Sequence, residues 1–125
     1  MEDVEFSDEF CRFLQATIPA VDAAELLLVF HRRADAAYSA QEAIAKLGPG
    51  IAPGDAEKYL KTFNERGLLV LSEGKYRYRA ESADARHVET LSAAYLQRPV
   101  TLIRVIYALR DSKIQTFADA FKLRK

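Results

Sequence analysis

Residues 51–80 read IAPGDAEKYLKTFNERGLLVLSEGKYRYRA, and a change of period inside this stretch decides the fold. In its first half Ala56, Tyr59, Leu60 and Phe63 recur at helical spacing, since residues three and four apart share one face of an α-helix. Pro53 suits the first helical position, where a missing N–H costs nothing. Gly67 suits the left-handed cap that closes a helix. The second half alternates instead: Lys75, Arg77 and Arg79 fall on one parity, Tyr76 and Tyr78 on the other. Glu73-Gly74 has the length of a two-residue or bulged hairpin turn. A helix over 53–66 running directly into a hairpin over 68–80 is therefore expected.

Upstream, Ser39 and Glu42 have capping-box spacing ahead of AIAKL, which predicts a short helix ended by Gly48. Residues 34–38 leave room for one small strand. Asp22 and Glu25 have the same capping spacing at the head of AAELLLVFHRR. That segment is apolar almost all round, so its helix should be central and buried. Ser7 is placed to cap a first helix with Phe6, Phe10, Phe13 and Leu14 on its inner face, stopped by Pro19. Downstream, Ser82 is placed to cap a helix with Val88, Leu91 and Tyr95 in its buried stripe. Pro99 starts another that reaches Leu109. The final stretch sets Ile114, Phe117, Ala118 and Phe121 at helical spacing, which predicts a last helix over 113–123 with a basic end.

The totals bound the function. A chain of 125 residues suits one domain, and half hydrophobic with 29% charged is the composition of a folding globular protein. Eighteen basic residues balance eighteen acidic ones, so any nucleic-acid binding must come from local charge. Cys11 is the single cysteine, which excludes an internal disulfide and a multi-cysteine metal site and points to a reducing cytoplasm. The acidic start MEDVEFSDEF lacks the basic region and apolar stretch of a signal peptide. The longest apolar runs fall far short of the roughly 20 residues that span a bilayer, so no membrane partner is expected.

Residues 22–80 resemble the winged helix-turn-helix domain of bacterial transcriptional regulators in their order of helix, small strand, helix, turn, helix and two-stranded wing. SAQEAIAKLG matches its second helix, IAPGDAEKYLKTFNERGLL its third, and LLVLSEGKYRYRA its wing. The resemblance implies a mainly α fold with a small β-hairpin: a single domain over 1–125, with a winged-helix core over 22–80 and additional N- and C-terminal helices. It further implies a DNA-binding transcriptional regulator whose recognition helix, 53–66, lies in the major groove while the wing, 68–80, touches the backbone. Carried over by position, Gly54, Asp55, Lys58, Lys61 and Thr62 would face the groove, and Lys75, Arg77 and Arg79 the phosphates. The helical extension over 82–125 has more apolar surface than a small domain needs, which predicts a homodimer.

Charge leaves a second reading open. Over 54–66, Lys58, Lys61 and Arg66 are balanced by Asp55, Glu57 and Glu65. Over 72–80 the basic surplus is two, from Lys75, Arg77 and Arg79 against Glu73. So few phosphate contacts make a weak monomeric binder, and a winged-helix module that docks on a protein partner is the alternative. On that view the cations of the hairpin are a solvated strand face that keeps an edge from aggregating. Those on the helix are local ion pairs such as Glu57 with Lys61. No enzyme, cofactor or metal site is expected. His31 and His87 have no ligand-spaced neighbours along the chain, and the glycines of GPGIAPG lack the G-K-S/T ending of a phosphate loop.

Overall fold

The computed structural model describes residues 6–48, 50–79 and 81–110. Within them the chain is mainly helical with a small antiparallel sheet. The elements are α1 (Asp8–Thr17), α2 (Val21–Arg32), β1 (Ala37–Tyr38), α3 (Ala40–Leu47), α4 (Pro53–Glu65), β2 (Leu69–Ser72), β3 (Lys75–Tyr78), α5 (Ala85–Gln97) and α6 (Pro99–Arg110). The helix expected over 113–123 lies outside the described residues.

The local signals account for most of these boundaries. Ser7 Oγ accepts the Phe10 N–H at 3.0 Å and opens α1, which satisfies one of the four amides that a helix start leaves without a partner. Ser39 and Glu42 form both halves of a capping box on α3, at 3.1 and 2.8 Å. Pro53 begins α4. Gly67, at φ +80°, ends it: its N–H donates to the Asn64 carbonyl, and the Leu68 N–H reaches back to Phe63 at 2.9 Å. Those two bonds are the Schellman closure. Phe63 and Leu68, the apolar pair that accompanies it, are fully buried.

Two expected caps are corrected. Asp22 and Glu25 do not cap α2; Ala20 precedes the helix and offers no side-chain cap. Both carboxylates serve tertiary bonds instead. Asp22 accepts from the Tyr59 hydroxyl at 3.2 Å, and Glu25 from the Tyr95 hydroxyl at 2.7 Å. Ser82 does not open α5 either. Its Oγ accepts the Asp84 N–H and its carbonyl the Ala85 N–H, so it builds a turn that delays the helix to Ala85.

Helix α2 is the axis of the molecule. Ala23, Ala24 and every residue from Leu26 to Phe30 are buried, because α3, α4, α5 and β3 all pack against it. The three strands run in the order β1-β3-β2. Helices α5 and α6 turn at Arg98, and α6 packs on α1 and α5. No single described helix is long and apolar enough to cross a membrane.

Candidate nucleic-acid interface

Helix α4 has two unlike faces. Ala56, Leu60 and Phe63 are fully buried, which anchors the helix against α2 and α3. On the other side Gly54, Asp55, Glu57, Lys58 and Lys61 are exposed and Thr62 is half-buried. The periodicity alone predicted this division, since the exposed set is what the buried stripe leaves. Among the described residues no carboxylate comes within salt-bridge distance of Lys58 or Lys61. The Glu57 to Lys61 pairing considered from the sequence is therefore not formed.

The hairpin follows from the Schellman closure with no intervening loop. Glu73 (φ +54°) and Gly74 (φ +81°) both adopt left-handed backbone, the two-residue turn that matches the right-handed twist of paired strands. This turn sets the register: Leu69 pairs with Tyr78, Val70 with Arg77, Leu71 with Tyr76 and Ser72 with Lys75. Because side chains alternate across a strand, Tyr76 and Tyr78 turn inward while Lys75, Arg77 and Arg79 remain exposed. The Tyr76 ring meets Phe30 edge-on at 6.5 Å, and Tyr78 meets the His31 ring at 5.3 Å. Burial, followed by the nearby Glu89 carboxylate, pushes the Tyr78 hydroxyl above its ordinary range.

The six predicted contact residues do not form one surface. Lys58 and Lys61 line a groove with Gly54 and Glu57 on the helix side and Leu71, Gly74 and Tyr76 on the hairpin side. Lys75 and Arg77 border a separate hollow with Ala37, Val70, Ser72 and Glu73, on the other face of the sheet. Thr62 lines neither. Arg79 folds back over the junction of α4 and β2, where its Nη1 lies 3.9 Å from the position a Cβ on Gly67 would occupy.

Lys75 also has a protein partner, Glu42 Oε1 at 3.5 Å. The Glu42 carboxyl sits below the usual range, chiefly because the Ser39 backbone N–H donates to it and then because of the Lys75 charge. A single side chain thus caps α3 and holds the hairpin tip. Sequence reasoning missed this pair, whose members are 33 residues apart, together with the His31 Nε2 to Glu89 Oε2 contact at 2.9 Å. It also missed Leu71, which shares the inward parity of Leu69 yet is 46% exposed. The turn register was the available signal: it sets Leu71 opposite Tyr76, two pairs nearer the tip than the buried Leu69 and Tyr78. Among the described residues no three His, Cys, Asp or Glu side chains converge as a metal site requires.

Comparison with family models, with curated proteins and with solved structures finds no match to this chain.

Proposed function

We propose that the protein is a DNA-binding transcriptional regulator of winged-helix architecture, with α4 as its recognition helix and the β2–β3 hairpin as its wing. The observation that carries the reading is the groove between α4 and the hairpin, with Lys58 and Lys61 exposed on its helical wall and, among the described residues, without a carboxylate partner. Two further features support it: the order of elements from α2 to β3, and the antiparallel pairing of β1 with β3. Phosphates would be met by Lys58 and Lys61 in the groove, by Arg77 on the outer strand face and by Arg79 beside the junction of α4 and β2, while Lys75 is drawn partly to Glu42. Each phosphate neutralised adds about 0.9 to the slope of log K against log salt, so four contacts from one copy bind weakly and steeply in salt. In this reading the protein works as a homodimer, whose second copy doubles the contacts.

The test is fluorescence anisotropy of a labelled mixed-sequence duplex, at low and at physiological salt. Wild type is compared with Lys58→Glu/Lys61→Glu and with Arg77→Glu/Arg79→Glu. The expected result is low-salt binding that both variants abolish while circular dichroism stays unchanged. Wild type that ignores DNA at low salt ends the proposal.

One observation favours a second reading. Leu71, 46% exposed, and Tyr76 give the same groove an apolar wall opposite its lysines, a mixture that suits an acidic, partly apolar protein segment. Leu71→Ser separates the two: DNA affinity set by phosphate contacts is indifferent to it, whereas a docked protein segment is lost.

A further inference from the structure

Helix α6 is apolar on two sides, and one of them is bare. Leu102, Val105, Ile106 and Leu109 are buried, with α6 packed on α1 and α5. On the opposite side Val100 and Tyr107 are 66% and 53% exposed, and Leu96, at the end of α5, is 71% exposed. Besides Leu71 in the groove, these are the exposed large hydrophobic side chains among the described residues. Ile103, half-buried, stands between Val100 and Tyr107. Val100, Ile103 and Tyr107 repeat at i, i+3 and i+7, the spacing of the seam along which one helix packs on another.

The charges beside this seam are of one sign. Arg104 follows Ile103 and lies about one helical turn from both Val100 and Tyr107. It is exposed, with no carboxylate in salt-bridge distance among the described residues. The Arg110 guanidinium lies 5.7 Å from the centre of the Tyr107 ring. No aspartate or glutamate occurs in α6, and the one carboxylate of α5, on Glu89, meets His31 Nε2 at 2.9 Å.

We infer that this face docks an acidic amphipathic helix of a partner protein, with apolar residues set against Val100, Ile103 and Tyr107 and carboxylates beside Arg104 and Arg110. Charge selects this occupant, because groups that flank a helix seam decide its partner through attraction of opposite signs and repulsion of like ones. A second copy on the same face would set arginine against arginine, with no acid on α6 to balance them. Residues 113–125 carry Lys113, Lys122, Arg124 and Lys125 against Asp119 alone, so their charge has the same sign as the face. An anionic lipid surface suits a helix whose broad apolar side is directed outward, whereas the broad apolar side of α6 is the buried one. None of these residues lines the α4 groove or the hollow on the hairpin, so docking here stands apart from any nucleic-acid binding.

The experiment uses the full chain and a fluorescein-labelled synthetic peptide of three heptads, with leucine at a and d and glutamate at e and g. A second peptide has lysine in place of every glutamate. Anisotropy should show binding of the glutamate peptide only. Arg104→Glu/Arg110→Glu should weaken that binding about tenfold or more and admit the lysine peptide. Val100→Ser/Tyr107→Ser should abolish it, with circular dichroism unchanged in both variants. Lys58→Glu/Lys61→Glu should bind as wild type does, which separates this face from the α4 groove. Equal binding of the two peptides, binding of neither, or loss in the Lys58→Glu/Lys61→Glu variant overturns the inference. Sedimentation and flotation with phosphatidylserine and phosphatidylcholine vesicles address the rival occupants. A dimer that Val100→Ser/Tyr107→Ser dissociates overturns the inference in favour of a second copy, and vesicle binding that this variant loses overturns it in favour of a membrane.

Discussion

Helices α2 and α6 are each twelve residues long and each apolar on more than one face, yet they end in different surroundings. Seven side chains of α2 are buried, because α3, α4, α5 and β3 surround it. On α6 only Leu102, Val105, Ile106 and Leu109 are buried, against α1 and α5, while Val100 and Tyr107 face outward. Apolarity all round a helix states a demand for neighbours, and that demand is met only where enough other elements arrive. The entry to α2 makes the same point, since the most buried helix begins at Ala20 without a side-chain cap. Tertiary packing and two tyrosine hydroxyls, on the Asp22 and Glu25 carboxylates, stand in for local capping.

Truncating the two helices tests the contrast most severely. Phe30→Ala, at a fully buried position on α2, should cost about 3–5 kcal/mol through lost burial and the cavity it leaves. Val100→Ala on α6, where the side chain is 66% exposed, should cost no more than about 1 kcal/mol. Urea midpoints at constant slope measure both, and equal costs would break the comparison.

The next effect concerns the polar start of α2. Burial, and then the Asp22 carboxylate, push the Tyr59 hydroxyl up to about 12 from an ordinary 10.0. A folded value above the unfolded one means that the Tyr59 contribution is fully present below pH 10 and is lost as pH climbs toward 12. Its size is on the order of 1 kcal/mol, since the half-buried group is screened by solvent. Tyr59→Phe should therefore lower stability at pH 8 and flatten part of the alkaline decline, which denaturation at a series of pH values would read out. An alkaline decline that is identical in the variant would rule out the Asp22 bond as its source.

The smallest effect runs the other way. Ala20 already has the extended backbone of a cap position, φ −157° and ψ 165°. Ala20→Ser should then add about 0.5–1 kcal/mol by supplying the missing acceptor. A thermal melt shows whether local capping and tertiary burial add on α2. No gain would mean that the packed helix end has no use for a cap.

Much of the fold could be read along the chain wherever a signal was local. Phe10, Phe13 and Leu14 on α1, Ala56, Leu60 and Phe63 on α4, and the tyrosines of β3 went where their period put them. Ser7, Ser39 with Glu42, Pro53 and Gly67 mark element ends as their chemistry dictates. Asp22 with Glu25 shows the limit: a capping spacing is only an offer, and two distant tyrosines outbid the local amide. Ser82 misled in the same way, its hydroxyl taken by a turn. For the candidate interface, parity predicted that Lys75, Arg77 and Arg79 would be exposed. It gave no sign that they lie apart from the groove holding Lys58 and Lys61, or that Lys75 would reach Glu42.

By itself, then, the sequence determined the helices and the hairpin, which side of each is apolar, and the neutral charge that makes any phosphate binding local. These follow from backbone periodicity and short-range hydrogen bonding, which act over a few residues. Which apolar faces are covered, which carboxylates serve as acceptors for distant hydroxyls, and how the cations divide between two surfaces follow from the folded arrangement. Those outcomes depend on side chains tens of residues apart meeting in space, and no repeat along the chain encodes that distance.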